Sequence, residues 1–128
     1  MRPDAQAWLD AAAADELAVE TLAASGNHAL AVFHAQQAAE KRLKAACTRK
    51  HRAIHTHSLL QLLDELAHLG FSAPDAVAEA ARRLEAHYTA ARYPNGFGPS
   101  PGPLYDGKLV DEARSWLLTI AHFADSLR

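Results

Sequence analysis

Eight of the twelve glycines and prolines in this 128-residue chain fall between residues 92 and 107, in the run RYPNGFGPSPGPLYDG. Glycine and proline are the strongest punctuation a sequence has, so the clustering removes regular structure from one segment and leaves long unbroken stretches elsewhere. Those stretches are built largely from 29 alanines and 17 leucines, against only 11 valines, isoleucines and threonines in the whole chain. β-Branched side chains suit a pleated surface better than a helix, and the ratio therefore predicts an all-α fold. The length suits one compact domain spanning 1–128, its core made of leucine ridges and close alanine contacts.

The apolar spacing and the remaining breakers locate the helices. Trp8, Leu9, Ala12, Leu17 and Leu22 recur near helical period over residues 3–25, with Pro3 tolerated in a first turn and Gly26 able to close the helix. Leu30, Phe33, Leu43 and Cys47 carry a stripe through a second helix over about 28–50. HRAIHTH then breaks the pattern. A short third helix follows, with Leu59, Leu62, Leu63, Leu66 and Leu69, Thr56 or Ser58 as N-cap and Gly70 as C-cap. Ser72, Pro74 and Asp75 start a fourth, whose stripe of Val77, Ala81, Leu84 and Tyr88 ends near Ala91. After the 92–107 loop, Asp106 caps a last helix carrying Leu109, Ala113, Trp116, Leu117, Ile120, Phe123 and Ala124. Long helices with mostly short connections make an antiparallel bundle.

Charge is unevenly spread. Residues 1–40 carry a net −5 and residues 64–128 a net −3, whereas residues 41–63 hold Lys41, Arg42, Lys44, Arg49, Lys50 and Arg52 with no acid. This basic island in an acidic chain is suited to a phosphate or an acidic partner. The lone Cys47 cannot form an internal disulfide, and the start MRPDAQAWLD lacks the basic-then-apolar pattern of a signal peptide, so a cytoplasmic setting is expected. No run reaches the roughly 18 apolar residues of a spanning helix, and no membrane role is expected.

Few motifs speak for a particular chemistry. His51, His55 and His57 form H-x3-H-x-H, but Lys50 and Arg52 would repel a cation and residues 41–63 hold no carboxylate, so surface histidines are the better reading. Neither a metal nor a cofactor is expected. In the second helix Gln37 precedes Lys41 by four, and Glu40 precedes Lys44 by four. Such pairs either stabilise an exposed face or, since Gln37 and Lys44 lie near the angular position of Phe33, line a groove or a dimer contact. Arg92, Tyr93 and Pro94 combine a planar cation, an aromatic face and a fixed backbone, which suits a nucleotide, although a helix terminus uses the same residues. The glycine-rich, nucleophile-elbow and metalloprotease signatures are missing.

FHAQQAAEKRLKAA at 33–46, THSLLQLLDEL at 56–66, ARYP at 91–94 and a last helix entered through LYDGKLVDEA resemble the prokaryotic HEPN (higher eukaryotes and prokaryotes nucleotide-binding) domain family. The resemblance covers nearly the whole chain. It implies a four- to five-helix up-and-down bundle, commonly a homodimer, often encoded beside a minimal nucleotidyltransferase and sometimes acting in a toxin-antitoxin pair. Many relatives are metal-independent endoribonucleases with an R-x4-6-H motif, in which histidine moves the proton of the ribose 2′-hydroxyl and arginine stabilises the charged phosphorane.

After Arg92 the next histidine is His122, too far for that motif; Arg49 with His55 and Arg52 with His57 match it formally within the basic island. The residues read as ligand-binding are Gln37, Lys41, Lys44, His57, Arg92 and Tyr93, the last two from R-Y-P and His57 from T-H-x-L. The leading expectation is a nucleotide- or nucleic-acid-binding bundle. The alternatives are an endoribonuclease using Arg52 and His57, and a structural dimerisation module without catalysis.

Overall fold

The computed structural model describes residues 3–91 and 105–127, and every regular element among them is helical. In chain order these are α1 (Pro3–Ala24), α2 (His28–Arg49), α3 (Leu59–His68), α4 (Asp75–Glu85), the single turn α5 (His87–Ala90) and α6 (Gly107–Ser126). The all-α expectation is met, and α1 and α2 end within a residue of where spacing and glycine put them. The fourth helix departs from the single run expected to Ala91. It is interrupted at Ala86, which keeps αR dihedrals and stands as both the C-cap of α4 and the N-cap of the separate turn of α5.

Three chain reversals share one hydrogen-bond pattern. After α1, Asn27 N–H donates to Leu22 C=O and Gly26 N–H to Ala23 C=O, with Gly26 at φ +80°. After α3, Phe71 and Gly70 donate likewise to Leu66 and Ala67, with Gly70 at φ +97°. Both are Schellman endings that need a left-handed residue. After α2 the same bonds run from Arg52 to Cys47 and from His51 to Thr48, but the left-handed residue is His51 at φ +63°. A histidine adopts that conformation at a cost glycine escapes.

Helix starts follow the expected chemistry where a side chain is free to cap. Ser58 Oγ accepts from Gln61 N–H at 3.1 Å, and Asp106 Oδ1 accepts from Leu109 N–H at 2.9 Å. Thr56, the alternative cap, instead accepts from Ser58 N–H at 3.0 Å. α4 begins at Pro74 without a side-chain cap.

α2 is the central helix, packed against α1, α3, α4, α5 and α6. Ala31, Ala35, Ala38, Ala39, Ala45 and Ala46 are all fully buried, so small side chains let neighbouring backbones close in on several sides. Leu43, Leu59, Leu62, Leu66, Leu84 and Ile120 fill the volume between helices. Two expected stripe residues face outward: Leu17 is 69% exposed and Leu30 45%. The buried line of α1 runs through Ala12, Asp15 and Val19, and Leu17 lies off it by more than a third of a turn.

The charge asymmetry of the sequence is resolved mainly between α1 and α2. Arg42 makes a two-pronged contact with Glu16, at 3.0 and 2.7 Å, and lies 3.7 Å from Asp125 of α6. Those carboxylates hold its guanidinium pKa above the ordinary arginine value. Lys41 donates to Asp15, which also meets His34 Nδ1 at 2.9 Å. Arg49 donates to Ala124 C=O of α6 at 3.0 Å. Much of the basic island thus fastens α2 to its neighbours. Among the described residues no helix is long and apolar enough to cross a membrane.

Candidate functional site at the turn after α2

Gln36, Glu40 and Lys44 stand four residues apart on α2 and form one longitudinal line. On an isolated helix that line would be wet. Here Gln36 is fully buried, Glu40 is 3% exposed and Lys44 9%, because α1 and the chain leaving α2 close over them. Buried polar groups require partners, and each has one. Glu40 Oε2 accepts from Lys44 Nζ at 2.9 Å. Gln36 Nε2 donates to the backbone carbonyl of His57 at 3.1 Å, and Gln36 Oε1 accepts from Gln37 Nε2 at 2.7 Å. Lys44 Nζ also lies 5.1 Å from the centre of the Trp8 ring, a cation–π contact across to α1.

The free oxygen of Glu40 fixes His57. Its Oε1 lies 3.2 Å from His57 Nδ1, and since a carboxylate only accepts, the imidazole donates from Nδ1. That leaves Nε2 as an acceptor when the ring is neutral and as a second donor when it is protonated, on a side chain that is 61% exposed. Tyr88 of α5 stacks on the ring, centroids 4.9 Å apart at 17°, and Phe33 flanks Tyr88 at 6.2 Å. Backbone and side-chain bonds from Gln36, Thr56 and Ser58 pin the peptide on either side. An exposed histidine is therefore held in one tautomer and one orientation by buried groups, an arrangement suited to accepting a proton or holding a phosphate.

The residues expected to bind ligand are only partly gathered here. Lys44 and His57 meet through Glu40, and Gln37 adjoins through Gln36. Lys41 does not join them, because its ammonium turns toward α1 and Asp15. Arg52 is exposed on the same connecting segment as His57. Arg49, the other formal motif arginine, is turned to the end of α6. Arg92 and Tyr93 lie outside the described residues. Glu40 and Tyr88 join the candidate site, although the spacing offered Glu40 only within a pair on an exposed face or a groove and Tyr88 only within an apolar stripe; the i, i+4, i+8 recurrence of Gln36, Glu40 and Lys44 in an alanine-rich helix was the available signal. Among the described residues no group of three or more His, Cys, Asp or Glu side chains is disposed to hold a metal.

A second histidine serves the frame. His87 Nδ1 lies 2.7 Å from Tyr105 Oη, and its ring stacks over Trp116 at 6.3 Å, which ties α5 both to the chain entering α6 and to α6 itself. Burial lowers the His87 pKa and raises that of Tyr105, which favours an uncharged imidazole beside an intact phenol. Burial also pushes the Cys47 thiol up to about 11.

Comparison with known proteins agrees with the fold. The HEPN domain family model matches residues 5–123. The crystal structure of TT1696 from Thermus thermophilus superimposes with a TM-score of 0.93 at 28% identity, covering 99% of this chain and 100% of that one. ST0689, described as an archaeal HEPN homologue, shares the fold with a TM-score of 0.80 at 24% identity, covering 98% of each chain. No curated protein matches the chain. With a family match running from the first turns of α1 into the last turn of α6, the chain belongs to the HEPN domain family.

Proposed function

We propose that this protein binds the phosphates of a nucleotide or nucleic acid at the end of the bundle that carries His57. The observation behind the reading is the anchoring of an exposed imidazole on buried Glu40 and against Tyr88. Holding a surface histidine rigid costs side-chain entropy, and a buried carboxylate that already satisfies Lys44 is an expensive support unless the histidine has a task. Arg52, exposed on the same segment, supplies a planar cation for phosphate. Gln37 and Lys44 are the proposed contacts from α2, and Arg92 and Tyr93 of the R-Y-P run, which lie outside the described residues, complete the proposed set.

One observation favours a second reading, metal-independent RNA cleavage. With Nδ1 committed to Glu40, Nε2 is the acceptor a general base needs for the 2′-hydroxyl, and Arg52 would offset charge on the phosphorane. Homodimerisation and a nucleotidyltransferase partner of the toxin-antitoxin kind belong to the same proposal, supported by the family and by exposed apolar surface at Leu17.

The test is incubation of the purified protein with total RNA in excess EDTA, run on native and denaturing gels beside His57→Ala and Arg52→Ala. Retarded RNA, weakened in either variant, is the expected result. Cleavage lost in both variants would favour the nuclease. RNA that migrates freely and stays intact with the wild-type protein at low salt would overturn both readings.

A further inference from the structure

Lys44 also borders a cleft of about 200 Å³ between the first turns of α1 and the chain leaving α2. Trp8, Lys44, Thr48, His51, Arg52 and His55 line it, and Asp4 is the one acid among the lining residues. We propose that this cleft is a subsite for one nucleotide of single-stranded RNA, its base against Trp8 and its phosphate between Arg52 and the two histidines. The proposal rests on the nucleic-acid reading above and names where a second unit of the same strand would lie.

Three independent features converge there. An indole wall beside fixed cations is the combination that holds unpaired nucleotides, because every base has a π-face and every backbone unit a charge. Lys44 is shared, lining the cleft on one side and bonded to Glu40, the anchor of His57, on the other. A strand contacting His57 would reach the cleft along residues 51–57, where His55, Arg52 and His51 supply polar and cationic groups on either side of Ala53 and Ile54. The third feature is His51. Gly26 and Gly70 occupy the equivalent left-handed positions after α1 and α3, whereas the turn that forms the cleft floor uses histidine at φ +63°. A chain that closes two helices with glycine and accepts strain at the third retains an imidazole where an anion would sit.

Trp8 is itself the reporter, since the chain has only one other tryptophan, Trp116. In a Trp116→Phe background, Trp8 emission is followed during titration with oligouridylate while a fluorescein-labelled copy of the same RNA gives the binding midpoint by anisotropy. Emission should change with the same midpoint as anisotropy. Trp8→Ala and Arg52→Ala should each raise Kd by about tenfold. His51→Gly guards against misfolding as an explanation: relief of the left-handed strain should raise Tm by a few degrees, roughly, while RNA affinity falls.

RNA that binds with unchanged Trp8 emission and wild-type midpoints in Trp8→Ala and His51→Gly would overturn the subsite and leave the His57 reading standing. RNA that fails to bind the wild-type protein would sink that reading, and this one with it.

Discussion

Glu40→Gln keeps the shape of the buried side chain and removes its charge. The wild-type carboxylate is 3% exposed and serves two donors, Lys44 Nζ at 2.9 Å and His57 Nδ1 at 3.2 Å. The variant leaves the ammonium of Lys44, whose side chain is 11% exposed, without a counter-ion. Removing one partner of a fully buried ion pair costs about 3–5 kcal/mol. Two contacts soften that loss: the cleft admits water to Lys44, and the Trp8 ring retains roughly 1 kcal/mol of cation–π attraction. The net expectation is about 2–3 kcal/mol of destabilisation, a fall in Tm of roughly 10 °C for a domain of this size. Urea unfolding followed by the helical circular dichroism signal measures it. Adding Lys44→Met should recover at least about 1 kcal/mol, since the stranded charge is then gone. A Glu40→Gln protein within about 0.5 kcal/mol of wild type, with no recovery from the second change, would refute the view that Glu40 is a buried counter-ion.

Three further outcomes follow from the same structure. His87 has a pKa lowered by burial, so the unfolded chain takes up its proton first as pH falls below 6.5, and stability drops until the folded value is passed. The acid-side loss of unfolding free energy should therefore be shallower in His87→Phe than in wild type, and equal slopes would contradict the assignment. Cys47, buried and with its thiol pushed up to about 11, should react with a disulfide reagent only after denaturation; rapid labelling of the native protein would contradict its burial. Ser58→Ala should cost about 1 kcal/mol through loss of the α3 N-cap, and Thr56 should not compensate because its hydroxyl is engaged at Ser58 N–H.

Local signals carried the helix ends well. Gly26 and Gly70 close α1 and α3 through backbone bonds that any sequence with glycine there would make, and Ser58 and Asp106 cap helices through bonds three residues long. What depended on distant neighbours was not legible in the same way. An i, i+4 pair such as Glu40 and Lys44 has one spacing whether wet or buried; Trp8 and His57, far away in sequence, decide which. Lys41 reads as part of a basic patch until Asp15, 26 residues earlier, comes into contact. Leu17 fits a helical stripe when only α1 is considered, yet packing on α2 selects the line through Ala12, Asp15 and Val19. His57 was singled out by its motif alone, whereas the orientation of its ring depends on Glu40 and Tyr88 from two helices.

The most direct test of the account is the affinity of fluorescein-labelled single-stranded RNA for the wild-type protein and for His57→Ala, measured by anisotropy in EDTA over a range of salt. The account predicts binding that weakens with salt through loss of phosphate contacts, and about a tenfold loss of affinity in His57→Ala at fixed salt, the magnitude of one hydrogen bond to a charged group, with the helical signal unchanged. No binding at the lowest salt, or equal affinity for the two proteins, would contradict it.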